Sequence, residues 1–208
     1  MPRPPLIFSL IASIILVPSG LLADQEGYAL RAGDVVFQTT AGEQAKAVQA
    51  ATGSRYTHCG VVFEENGAFK VLEAVQPVKV SSFAEFKARS LPGTFKVKRL
   101  KEPLSAEAIE KGKAWGVKQV GLNYDPHFRW DDETLYCSEL VWKVFKKAGV
   151  ELCTPRRFQD YELDAPEVKT VVEKRYGSKD KLPKDEPVVS PGDLADSPLL
   201  VDVPAEEK

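Results

Sequence analysis

The dipeptide Asn66-Gly67 stands between two runs rich in β-branched and aromatic residues, Thr57–Glu64 (THCGVVFE) and Ala68–Val75 (AFKVLEAV). Asn-Gly is the pair that a two-residue type I′ turn demands, because both central positions need positive φ. The chain is therefore held here to an antiparallel hairpin in one register. With Glu65 opposite Ala68, Gly60 faces Glu73 and His58 faces Val75. His58 and Glu73 then share one side of the sheet as diagonal neighbours, about 7–8 Å apart at the backbone. Gly60 puts no side chain between them. A one-residue change in the turn would send the two to opposite faces.

A carboxylate within reach of a histidine fixes its tautomer and stabilises its protonated form. Such a pair can activate a nucleophile, and Cys137 is placed to be one. It lies at the start of an amphipathic helix, Tyr136–Ala148, with Leu140, Val141, Val144, Phe145 and Ala148 on one face and Gly149 as its stop. Unpaired N–H groups and the helix dipole at that end favour a negative charge and lower a thiol's pKa. The same N–H groups can hold an oxyanion. Cys137, His58 and Glu73 thus form a candidate set of nucleophile, base and orienting acid. Each also has a plainer reading. Cys137 could be a small buried helix residue, His58 a satisfied polar residue at a sheet edge, and Glu73 the partner of Lys70. The second histidine, His127, sits beside Asp125 and Arg129 in an irregular aromatic loop, 121–133, and is read as a loop residue.

The rest of the chain predicts an α+β fold, an antiparallel sheet packed against helices. Gly33-Asp34 turns into a strand at Val35-Val36-Phe37, and 94–100 reads as another. Helices are expected over 42–51, from Ser82 to Arg89, from Ser105 to about Val117 and over 166–176. Residues 178–186 read as a polar linker. Ser190-Pro191-Gly192-Asp193 is an N-cap signature, with Leu194, Leu199 and Leu200 docking behind it and 205–208 left as a free tail.

Composition narrows the function. With 28 Lys+Arg against 30 Asp+Glu the chain has no basic footprint for nucleic acid. Three cysteines cannot build a disulfide scaffold, and Cys59 with Cys153 is the one pair that could oxidise while sparing Cys137. Two histidines leave little for an ordinary zinc site, and the acidic residues Asp125, Asp131, Asp132 and Glu133 lack Ca²⁺-loop spacing, so no metal is expected. No phosphate-cradling Gly-rich motif is present and no cofactor is called for. Trp115, Trp130 and Trp142 are read as core or cleft wall. Residues 1–23 carry Arg3, an apolar run from Leu6 to Val17, a Pro18-Ser19-Gly20 break and a small Ala23, the pattern of an export signal. Pro18 keeps the run below the length of a spanning helix, although an uncleaved segment would act as an anchor. The expected organisation is a signal peptide at 1–23, one folded domain at 24–204 and a short tail, in a periplasmic or secreted protein.

The order GDVVF (33–37), SRYTHCGVV (54–62), VLEA (71–74), NYD (123–125) and YCSELV (136–141) resembles the YiiX/YaeF-like branch of NlpC-type hydrolases. Their papain-like fold is circularly permuted, so that the histidine hairpin precedes the cysteine helix, as it does here. SPGDLADSPLL (190–200) resembles the same branch. The resemblance implies Cys137 as nucleophile, His58 as base, Glu73 as third polar residue and Tyr124 as a wall of the substrate cleft. Cys59 stands where an aliphatic residue is more usual. The implied activity is cysteine-dependent cleavage of an amide bond, with a peptide, an N-acyl amide or a lipid-like molecule as substrate. Two further functions remain open on sequence: acyl transfer or thioester cleavage on lipids, and ligand binding without turnover.

Overall fold

The computed structural model describes residues 27–205, so the export segment expected at 1–23 lies outside the described residues. Eight strands occur among them: β1 (Val35–Gln38), β2 (His58–Glu65), β3 (Ala68–Ala74), β4 (Val78–Ser82), β5 (Lys96–Leu100), β6 (Arg156–Arg157), β7 (Pro187–Val188) and β8 (Leu200–Val203). The helices are α1 (Glu43–Thr52), α2 (Phe83–Ala88), α3 (Ala106–Val117), α4 (Cys137–Lys147), α5 (Pro166–Tyr176) and α6 (Pro191–Ala195). β6 and β7 pair in a small ribbon, and the other six strands form one sheet in the order β4-β3-β2-β1-β5-β8, antiparallel throughout.

The hairpin is the one the turn demands. Asn66 and Gly67 have φ of 51° and 74°, and the ladder runs from Glu65↔Ala68 to Val61↔Leu72. Strand alternation then sorts the side chains into two cores. Cys59, Val61, Phe63 and Leu72 meet Leu140, Val141, Val144 and Phe145 of α4 on one face. Val62 and Val71 meet Phe83 and Phe86 of α2 on the other. A third cluster, built from Tyr136, Phe158, Tyr161, Leu163, Val168 and Val172, lies under α5.

Gly60 has a different role from the one expected of it. A Cβ there would lie 2.5 Å from Val71 Cγ1, 3.0 Å from the Leu72 carbonyl oxygen and 3.3 Å from Phe86 Cε2. The space is filled by core side chains. Gly60→Ala is expected to destabilise the fold by about 1–3 kcal/mol through overpacking. Urea denaturation checks this: the midpoint falls while the m-value stays unchanged.

Four segments depart from the sequence reading. β4 and β8 are edge strands with weak patterns of their own, since Val80 and Val201 point to solvent. Leu199, expected to dock, is 40% exposed, whereas Leu200 is buried as the first residue of β8. The polar stretch 178–186 is ordered by a 3₁₀ turn at Lys179–Lys181 and the buried Leu182. Ala205, expected in the free tail, pairs with Tyr28.

Candidate active site

α4 begins at Cys137 because its apolar stripe must seat on the sheet, which leaves Tyr136 in extended backbone as N-cap. Two neighbours pin this end. Ser138 Oγ donates to the Val189 carbonyl at 2.7 Å, and the buried Glu139 carboxylate accepts the Tyr136 N–H at 3.4 Å. Burial pushes the Glu139 carboxyl up to about 8, against the opposing pull of the Lys143 ammonium 2.8 Å away. The Cys137 thiol is 5% exposed and lies against Cys59 and His58.

His58 opens β2 and its ring stacks on Phe86, with centroids 5.4 Å apart. Its Nε2 is 2.6 Å from Glu73 Oε2, and the imidazole lies near enough to the Cys137 thiol for each to favour the other's charged form. With Nε2 held by the carboxylate, Nδ1 is the atom left for sulfur. The other oxygen of the fully buried Glu73, Oε1, accepts from Ser81 Oγ and from Arg89 Nη2, each at 2.5 Å. The diagonal His58–Glu73 relation read from the turn is therefore a direct contact.

Charge follows from these contacts. Burial alone would raise the Glu73 carboxyl, but hydrogen bonds from His58, Ser81 and Arg89 outweigh it and lower the group to about 2. Burial alone would lower the His58 imidazole, yet Cys137 and Glu73 together raise it to about 9. The Cys59 thiol lowers the Cys137 thiol well below its usual range, and His58 and the Cys59 backbone amide reinforce it against burial. Burial holds Cys59 itself well above the thiol range, so it stays an S–H donor. These directions favour a thiolate and an imidazolium above a buried carboxylate.

Tyr124 reaches the same place. Its hydroxyl accepts from Gln44 Nε2 at 2.7 Å, which leaves the hydroxyl proton free to donate. His127 stands apart, with its side chain 43% exposed and its ring edge-on to Tyr176. Asp125 is buried and accepts the N–H groups of His127 and Arg129 at 2.8 and 2.6 Å, so it shapes the loop. Trp130 and Trp142 stack edge to face on the core, and Trp115 packs against it. The cysteines are three free thiols. Cys59 lies against Cys137, a neighbour the sequence reading did not anticipate. Sequence reasoning missed Ser81, Arg89 and this role of Cys59. Recognising β4 would have found Ser81, because Val71↔Ser81 pairing puts it diagonal to Glu73. No local pattern marks Arg89.

A mixed helix and antiparallel-sheet fold, with the histidine hairpin ahead of a helix that starts on a buried cysteine, defines the class as papain-like in permuted order. The chain belongs to the permuted papain-like amidase family, YaeF/YiiX, C92, whose profile matches residues 29–203. It is 35% identical over 175 residues to the uncharacterized protein YiiX of Escherichia coli K12, covering 84% of this chain and 86% of that one. The crystal structure of the metalloprotein yiiX from Escherichia coli O157:H7 superposes with a TM-score of 0.79 at 35% identity, over 86% of this chain and 98% of that chain. Among the described residues here, no group of three or more His, Cys, Asp or Glu side chains is placed to hold a metal ion.

Proposed function

We propose that this amidase-family chain hydrolyses an amide bond through Cys137, His58 and Glu73. The observation that carries the reading is the buried His58–Glu73 contact, braced by Ser81 and Arg89 and set beside the thiol at the start of α4. The Cys137 thiolate attacks the carbonyl carbon. The oxyanion is held by N–H groups at the start of α4, with the Tyr124 hydroxyl as a further donor. The C–N bond breaks as the His58 imidazolium gives its proton to the departing amine, leaving a thioester. His58, now neutral, takes a proton from water, and the hydroxide releases the acid and regenerates the thiolate. Glu73 keeps one tautomer and one ring orientation throughout.

The reading also places the protein outside the cytoplasm, on the strength of Arg3 and the apolar run from Leu6 to Val17. Intact-mass measurement of the exported protein locates the cut.

The test is the alkylation rate of Cys137 from pH 4 to 10, followed by peptide mass spectrometry, in wild type and His58→Ala. The expected result is a rate that rises well below the ordinary thiol value of about 8.5 in wild type and shifts to higher pH in the variant, where Cys59 alone still favours the thiolate. An ordinary profile that ignores His58 would sink the reading.

A further inference from the structure

The β1–β2 ladder sets Gln38 directly opposite His58, so both side chains leave the sheet on the same face. Gln38 is fully buried. Its Oε1 accepts from Ser90 Oγ at 2.6 Å, whereas its Nε2 has no hydrogen-bond partner among the described residues. A buried amide donor left unmatched is costly, and the function of the reaction site gives it an acceptor to meet. Ser90 follows Arg89 in the chain, and Gln38, Arg89 and His58 all line one cleft.

That cleft offers donors and positive charge. Arg89 and His58 stand on its wall, and among the described residues no Asp or Glu lines it. Glu73 lies behind them, fully buried, with one oxygen on His58 Nε2 and the other on Arg89 Nη2. With the imidazole protonated, two positive charges answer to one negative. The other amides on the wall are matched within the protein. Gln44 accepts from Arg175 and donates to Tyr124, and Gln76 donates to Asn123 and accepts the Tyr124 N–H. Gln38 Nε2 and the guanidinium N–H groups of Arg89 beyond the one given to Glu73 are the donors left for a guest. A neutral or cationic guest leaves the excess charge unanswered. A carboxylate brings two acceptor oxygens and the missing negative charge.

The reaction fixes which half of the substrate lies here. The departing amine takes its proton from His58, so it leaves into the cleft that His58 lines. We infer that this amine carries a carboxylate: the substrate is an N-acylated amino acid whose free carboxylate is held by Gln38 Nε2 and Arg89. The inference rests on the cysteine-hydrolase reading above and names the leaving half of its substrate. Water is divided across the C–N bond. Its hydroxyl stays on the acyl carbon, and the amino acid departs with the proton delivered by His58.

Matched probes test it: the N-butanoyl derivatives of glycine, β-alanine and 4-aminobutanoate, each against its own carboxamide, with the released amine measured by mass spectrometry. The members of a pair differ only in the charged group, and the series varies its distance from the scissile nitrogen. At one spacing or more, the acid is expected to exceed its amide in kcat/KM by about tenfold or more, the size of a single charge-assisted hydrogen bond. Gln38→Met keeps the length and removes the donor, and is expected to cut that ratio by about fivefold or more. Comparing the pair within the variant cancels any loss that both substrates share through folding. A smaller ratio at every spacing, or a ratio that Gln38→Met leaves unchanged, overturns the inference and leaves the cysteine mechanism standing. Absence of turnover on every compound, with Cys137 never acylated, overturns the mechanism instead. Calorimetric titration of Cys137→Ser with the same pairs then still decides the cleft. An acid bound about tenfold tighter than its amide supports the carboxylate site, and equal or weaker binding overturns it.

Discussion

Cys137→Ser is expected to lower amide turnover by about 10⁴-fold or more, with the fold intact. The substitution changes one atom, and serine fits a position that is already small and buried. The loss arises because a hydroxyl is a far weaker acid than a thiol, so the contacts that lower the Cys137 thiol cannot bring a serine to its anion. Steady-state rates with circular dichroism of both proteins check it. A variant that retains a tenth of the wild-type rate would remove Cys137 from the chemistry.

Glu73→Gln is expected to cost about 10²–10⁴-fold in kcat/KM and, more tellingly, to move the pH profile. In the wild type the reaction needs the thiolate on one side and the imidazolium on the other. The rising limb therefore follows the lowered Cys137 thiol, and the falling limb follows His58 near pH 9. These limbs belong to the coupled pair and are read as such. Glutamine keeps a hydrogen-bonding oxygen for Ser81 and Arg89 but removes the charge that helps hold the proton on His58. Burial then pulls the imidazole down, and the falling limb shifts toward its ordinary value of about 6.5. Measurement of kcat/KM from pH 5 to 10 checks the direction. A limb that stays at 9 would make Glu73 a structural residue only.

Much of the site was legible because two of its three members sit on one hairpin. The Asn66-Gly67 turn sets a register, the register sets faces, and faces decide that His58 and Glu73 can touch. Cys137 was legible for another local reason: the apolar stripe from Leu140 to Phe145 marks where α4 begins, and helix starts favour thiolates. Tyr124 was reached by resemblance alone, and its bond to Gln44 joins segments 80 residues apart.

Local chemistry determined the hairpin, the helix starts at Ser82, Ser105, Cys137 and Ser190, and the faces of β2 and β3. Each depends on backbone geometry within a few residues, which turn and capping side chains dictate. Only the tertiary structure decided that Cys137 meets His58, that Cys59 lies against the nucleophile, and that Ser81 and Arg89 brace Glu73. It alone decided that Gly60 yields its space to Val71 and Phe86, and that β4 and β8 close the sheet. Those outcomes depend on which distant surfaces pack together, and no periodicity within a single segment records that.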